Sequence, residues 1–132
     1  MTISLNELMG WWKLSRVWHE FPDAPTKWPF GTSATGSLVF TSDQRMMLAI
    51  LGSEGALNSL GYEVHSGRFA LEDSEISTIS DVSSRLEWRH TGLRYSASLA
   101  HGALFLTSPQ VGLLYDGAPF AAASIWVRQP EG

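Results

Sequence analysis

Apolar and polar residues alternate in short runs along most of this chain, with turn-forming residues between the runs. The N-terminus departs from that rhythm. Ser4 can cap a helix and Glu7, three residues on, can complete a capping box. Leu5, Leu8 and Met9 give that helix a short apolar face, and Gly10 stops it. From Gly10 to Glu20 the spacing becomes strand-like, ending near Phe21 and Pro22. Alternate residues place Trp12, Leu14, Arg16, Trp18 and Glu20 on one face and Trp11, Lys13, Ser15, Val17 and His19 on the other. Neither face is wholly apolar. Arg16 and Glu20 among large aromatics point to a strand that faces a wet or ligand-filled interior.

Residues 22–35 read as a loop, because Pro22, Pro25 and Pro29 each remove a backbone donor. Trp28 and Phe30 make it either a lid over a barrel mouth or a plug in a core. Further strands are expected over Gly36–Phe40, Arg45–Leu51, Tyr62–Leu71, Glu75–Val82, Leu93–Leu99, Ala103–Thr107 and Ser124–Arg128. The turns between them fall at Thr41–Gln44, Glu72–Ser74 and His101–Gly102. Ser53 can cap a small helix carrying Ala56, Leu57 and Leu60, and 83–90 reads as a polar connector anchored by Leu86 and Trp88. Residues 109–123 read as a Gly- and Ala-rich loop, and 129–132 as a frayed end. Eight short strands behind one short helix close most simply as an all-β, eight-stranded up-and-down antiparallel barrel, a single domain over 1–132.

Composition narrows the function. Of 132 residues, 44% are hydrophobic and 17% charged, and the net charge is −4. With no basic block or stripe, nucleic acid is not the expected partner. The chain has no cysteine, so disulfides and thiolate metal sites are excluded. No basic-then-apolar leader and no membrane-length apolar run is present, so a cytoplasmic protein with no membrane partner is expected. The four histidines are dispersed without metal-ligand spacing, and no phosphate loop or nucleophile elbow occurs, so no metal or cofactor is expected.

The candidate site follows from strand parity. His65 shares a face with Gly67, Phe69 and Leu71, and an imidazole with its ordinary pKa of about 6.5 suits proton transfer. Tyr95 shares a face with Leu93, Ala97 and Leu99, and its hydroxyl can hold a ligand carbonyl or complete the wall. Arg16 and His65 are the candidate catalytic pair; Trp18, Glu20, Trp28, Phe69 and Tyr95 are candidate ligand contacts. His19, His90 and His101 read as surface, loop and turn residues, and Asp81 is expected to point outward.

Four pieces of the chain, in order, resemble the bacterial and fungal lipocalin-like domains of the calycin group. These are Gly10-Trp11-Trp12-Lys13-Leu14, Pro29-Phe30-Gly31, Gly36-Ser37-Leu38-Val39-Phe40-Thr41-Ser42-Asp43 and Ser66-Gly67-Arg68-Phe69. They span the first half; the second half matches by strand pattern. The chain departs from the family at Gln44, where glycine is common after the turn aspartate, and at Ser77–Ile79, where a histidine is common. The resemblance implies a clasp of Trp12 under Arg128 at the closed barrel end, and a barrel that can hold a small apolar molecule. Some members of that family belong to natural-product pathways, where other barrels act as cyclases or isomerases. Three functions stand open: a carrier of a small hydrophobic molecule, a cofactor-independent cyclase or isomerase of a polyketide-like substrate, and a packed interaction module. In the enzyme, Arg16 would stabilise an enolate-like oxygen and His65 would move the proton.

Overall fold

A computed structural model describes residues 2–53, 61–84, 92–110 and 117–130. Helix α1 (Leu5–Leu8) precedes strands β1 (Gly10–Glu20), β2 (Thr35–Phe40), β3 (Arg45–Leu51), β4 (Tyr62–Glu72), β5 (Glu75–Ser83), β6 (Gly92–Ala100), β7 (Ala103–Gln110) and β8 (Phe120–Arg128). Each strand pairs antiparallel with the next, and β8 returns to β1, closing an up-and-down barrel. Closure gives every strand a neighbour on both sides, which suits a chain of short alternating strands.

The barrel is shut at the α1 end. Ser4 and Glu7 form the capping box, and the buried Leu8 points into the core. The Trp12 indole is buried and donates to the Leu8 carbonyl at 2.9 Å. The Arg128 guanidinium lies 4.3 Å from the Trp12 ring centroid and donates to the carbonyls of Met9 and Glu7. One arginine thus covers the indole and also takes up carbonyls that a helix end leaves without intrahelical partners. Gly10 sits at φ 117°, a conformation open to glycine at little cost, and its missing Cβ leaves room for Arg128. Phe40 and Phe69 meet edge-on above this floor, with centroids 5.0 Å apart.

Two irregularities reset which residues face inward. β1 pairs with β8 regularly through Leu14, then skips Ser15 and resumes at Arg16 opposite Ile125. Beyond this bulge the inward residues are Val17 and His19; Arg16 and Glu20 are exposed and Trp18 is half-buried on the outer face. The expectation that Arg16, Trp18 and Glu20 share the Trp12 face is therefore corrected, and so is the surface reading of His19. A bulge inserts one residue and inverts parity after it, and simple alternation cannot register this. The second bulge skips Asp81 between Ser80 and Val82. Asp81 points outward onto Arg45 at 2.9 Å, Val82 becomes exposed, and Ser83 turns inward.

Smaller differences follow from composition. β7 continues through Pro109 to Gln110, and β8 begins at Phe120, so part of the expected 109–123 loop is strand. The alanines 121–123 lack the contrast that parity arguments need, yet their backbones pair fully with β1 and β7. Gln129 is tied down by its N–H to the Trp11 carbonyl at 2.9 Å. The expected small helix with Ala56, Leu57 and Leu60, and the anchors Leu86 and Trp88, lie outside the described residues, as does His90. Among the described residues, no helix is long and apolar enough to cross a membrane.

Candidate functional site

Polar groups gather on the inner wall at the end opposite α1. β4 presents Glu63, His65, Gly67 and Phe69 inward in sequence. His65 is 3% exposed and stands opposite Leu48 of β3 on one side and Ser83 of β5 on the other. Its Nδ1 lies 2.8 Å from the Ser83 hydroxyl, and its Nε2 lies 3.3 Å from the Glu63 carboxylate. The Ser83 contact has hydrogen-bond geometry and orients the ring from β5, whereas the Glu63 carboxylate neighbours Nε2 without that geometry. The β5 bulge makes this possible, because without it Val82 rather than Ser83 would face the ring. Gly67 belongs to the same arrangement. A Cβ there would run into the Ile79 carbonyl, so the backbones of β4 and β5 approach closely just below the bulge.

Tyr95 faces inward from β6 and is partly buried. Burial pushes the pKa of its phenol above the ordinary value, and the nearby Glu63 carboxylate adds to the shift. His19, 5% exposed, enters from β1 opposite Ala122, with its ring 4.4 Å from Phe120. Gln110 and Ser124 contribute amide and hydroxyl groups from β7 and β8. Val17, Leu48, Ile50 and Phe30 supply the apolar wall.

Phe30 closes this end. It is 2% exposed, so the loop acts as a plug rather than an outer lid. The Phe30 carbonyl accepts from the Ser53 N–H at 2.8 Å and the Ser53 hydroxyl at 3.2 Å, and a turn from Trp28 to Gly31 sets the ring's direction. With Phe30 seated, the cavity between these side chains measures about 40 Å³. That is room for a water molecule, well short of the several hundred cubic ångströms that enclose a typical ligand.

The expected site residues divide into two groups. Tyr95 lines the cavity, His65 is buried in the inner wall beside the cavity-lining Glu63, and Phe69 lies deeper in the same interior. Arg16, Trp18, Glu20 and Trp28 lie outside the wall. Trp18 stacks at 5.8 Å on Trp28 and 6.1 Å on Phe105, and its indole donates to Glu20 at 2.7 Å. Glu63, Ser83, His19 and Phe30 complete the inner set. Glu63 was readable from its i−2 spacing to His65, whereas Ser83 and His19 are exposed to the interior only through bulges. Among the described residues, no group of three or more His, Asp or Glu is placed to hold a metal ion.

The closed eight-strand antiparallel order frames the comparison with solved structures. The fold is lipocalin-like. A lipocalin-like protein from Bacteroides uniformis superposes with a TM-score of 0.53 at 19% identity, covering 92% of this chain and 98% of that one. An uncharacterized protein from Bacteroides eggerthii gives a TM-score of 0.48 at 16% identity, covering 92% and 99%. No family model matches the chain, and no curated protein does. A lipocalin-like barrel is consistent with binding a small molecule, and identity this low carries the likeness no further than the fold.

Proposed function

We propose that the protein binds a small, largely apolar molecule inside the barrel, at the end that Phe30 closes. The observation that carries this reading is the buried His65 with the partly buried Glu63, Ser83 and Tyr95 grouped toward one end of the inner wall. Ionisable groups cost free energy to bury, and a barrel built only for packing would be more stable with apolar residues there. Grouped titratable side chains in an interior are a mark of functional sites. The 40 Å³ cavity then requires Phe30 to swing out as the ligand enters. Gly31, at φ 79°, and the neighbouring prolines leave the ring on a short turn rather than a strand.

The His65 contacts favour a second reading, cofactor-independent isomerisation or cyclisation of a polyketide-like substrate. A ring held between a hydroxyl and a carboxylate is oriented for general acid–base work, with the Tyr95 hydroxyl as donor to a developing oxygen. Arg16, on the outer face, has no part in either reading.

A titration with the neutral apolar dye Nile red tests the proposal. Saturable binding is expected in the wild type and in Ala49→Phe, which changes only the outer wall. Ala122→Phe fills the cavity and is expected to abolish binding while the melt stays cooperative. Equal binding by both variants would place the dye outside the barrel. No binding by any of them would leave a packed barrel acting through its surface. Product assays with His65→Gln separate binding from turnover, since losing a general acid or base lowers rates by about 10²–10⁴.

A further inference from the structure

The barrel wall is uneven between β1 and β2. Their register runs from Gly10 opposite Phe40 to Lys13 opposite Ser37, whereas β1 continues to Glu20. β8 pairs along the other flank of β1 as far as Glu20, so the flank beyond Lys13 falls to the loop between β1 and β2. Lys27 and His19 exchange backbone N–H to carbonyl bonds there, at 2.8 and 2.9 Å. Trp28 lays its ring against Trp18 on the outer face, with centroids 5.8 Å apart, and Trp18 leans in turn on Phe105 of β7. Two residues on, Phe30 enters the interior, where Ser53 holds its carbonyl from beyond the end of β3. Between the two rings Pro29 is buried with its φ fixed by its own ring, and the Gly31 N–H donates to the Trp28 carbonyl at 3.0 Å. One tight turn therefore carries an aromatic ring on each side of the wall.

A turn this short moves as a unit, so withdrawing Phe30 from the interior also lifts Trp28 off Trp18. We propose that the Trp18–Trp28 stack is an outer latch on the Phe30 plug, and that its strength sets how readily the barrel takes its ligand. This rests on the interior-binding reading above and adds the regulation of that site. In the closed form Phe30 fills the space a ligand needs, since only about 40 Å³ remains beside it. The ligand binds the form with Phe30 out and the stack broken. Its apparent affinity is then its intrinsic affinity reduced by the fraction of molecules already open. Trp28 acts through Phe30 and has no contact with the bound molecule. Weakening the outer stack enlarges the open fraction and tightens binding, the opposite of what loss of a ligand contact does.

Stopped-flow mixing of the full chain with Nile red tests the latch. Trp28→Ala is expected to bind about two- to tenfold more tightly than the wild type, the scale of one aromatic pair, through faster association with an unchanged dissociation rate. Trp28→Phe keeps a ring over Trp18 and is expected to stay within about twofold of the wild type. Phe30→Ala has no plug to hold, so adding Trp28→Ala to it is expected to change affinity by less than about twofold. Equal or weaker binding by Trp28→Ala, or its full tightening in the Phe30→Ala background, would overturn the latch. Saturable binding by the wild type that Ala122→Phe abolishes would still uphold the interior site. If neither the wild type nor Phe30→Ala binds the dye, the interior reading falls and the latch with it.

Discussion

Ser15 is the residue on which the orientation of the first strand depends. By standing out of register it sends Arg16 outward and brings Val17 and His19 in. Arg16→Leu should therefore change stability by no more than about 0.5 kcal/mol, as exposed substitutions do, and leave ligand affinity unchanged. Val17→Arg should cost several kcal/mol, because it places an unpaired charge in the core, about 3–5 kcal/mol by analogy with broken buried pairs. Urea melts of the two variants check this, and the reverse ranking would mean that β1 runs without the bulge. Tyr95 gives a second test at this scale. Its folded pKa is raised by burial and by Glu63, so the native state holds the phenolic proton after the unfolded chain has released it. Its contribution is fully present below the ordinary phenol value of about 10 and is lost as pH rises beyond it. Wild-type stability should fall more steeply above pH 10 than that of Tyr95→Phe in alkaline melts. Alternation alone correctly turned His65 and Tyr95 inward because no bulge separates them from the apolar residues that define their faces. It failed for His19 because one inserted residue carries no compositional mark, and Ser83, read as part of the 83–90 connector, was given no face.

At the scale of elements, turns locate the strands well because their backbones need particular conformations. Gln44, Asp73, Ser74 and His101 all sit at positive φ, between 49° and 65°, in the turns that end β2, β4 and β6. Gln44 stands where the resembling family often has glycine, and its φ of 65° gives the physical reason for that preference. Its N–H donates to the Thr41 carbonyl at 3.1 Å and its carbonyl accepts from Phe69 at 2.9 Å, contacts that glycine would keep. Gln44→Gly is expected to raise stability by up to about 1 kcal/mol, the scale of the left-handed penalty for a residue with a Cβ. A thermal melt reads it, and a lower midpoint would show that the glutamine side chain stabilises the turn. The start of β8 was not legible, because three consecutive alanines present no inner and outer face to distinguish. The plug was only half legible: Phe30 in a proline-rich loop indicates folding back, but its seat is made by Ser53, a residue 23 positions away.

For the molecule as a whole, the two barrel ends are built on different principles. At the α1 end a helix, an indole and a guanidinium close the barrel with backbone carbonyls as anchors. At the opposite end a single phenyl ring on a loop closes a cavity lined by a carboxylate, an imidazole and a phenol. The closed antiparallel architecture was legible from eight alternating runs, whereas the cavity was not, since its size depends on how far one loop side chain enters. The outer wall also carries apolar grooves around Trp11, one bordered by Ala49, Leu51 and Val64 and another by Val127. These provide the natural alternative location for an apolar ligand. Methyl-resolved NMR during titration with Nile red distinguishes the two directly. The interior account predicts shifts concentrated on the methyls of Val17, Leu48, Ile50 and Ala122, which line the cavity beneath Phe30. Shifts confined to Ala49, Leu51, Val64 and Val127, with the inner methyls unmoved, would contradict it.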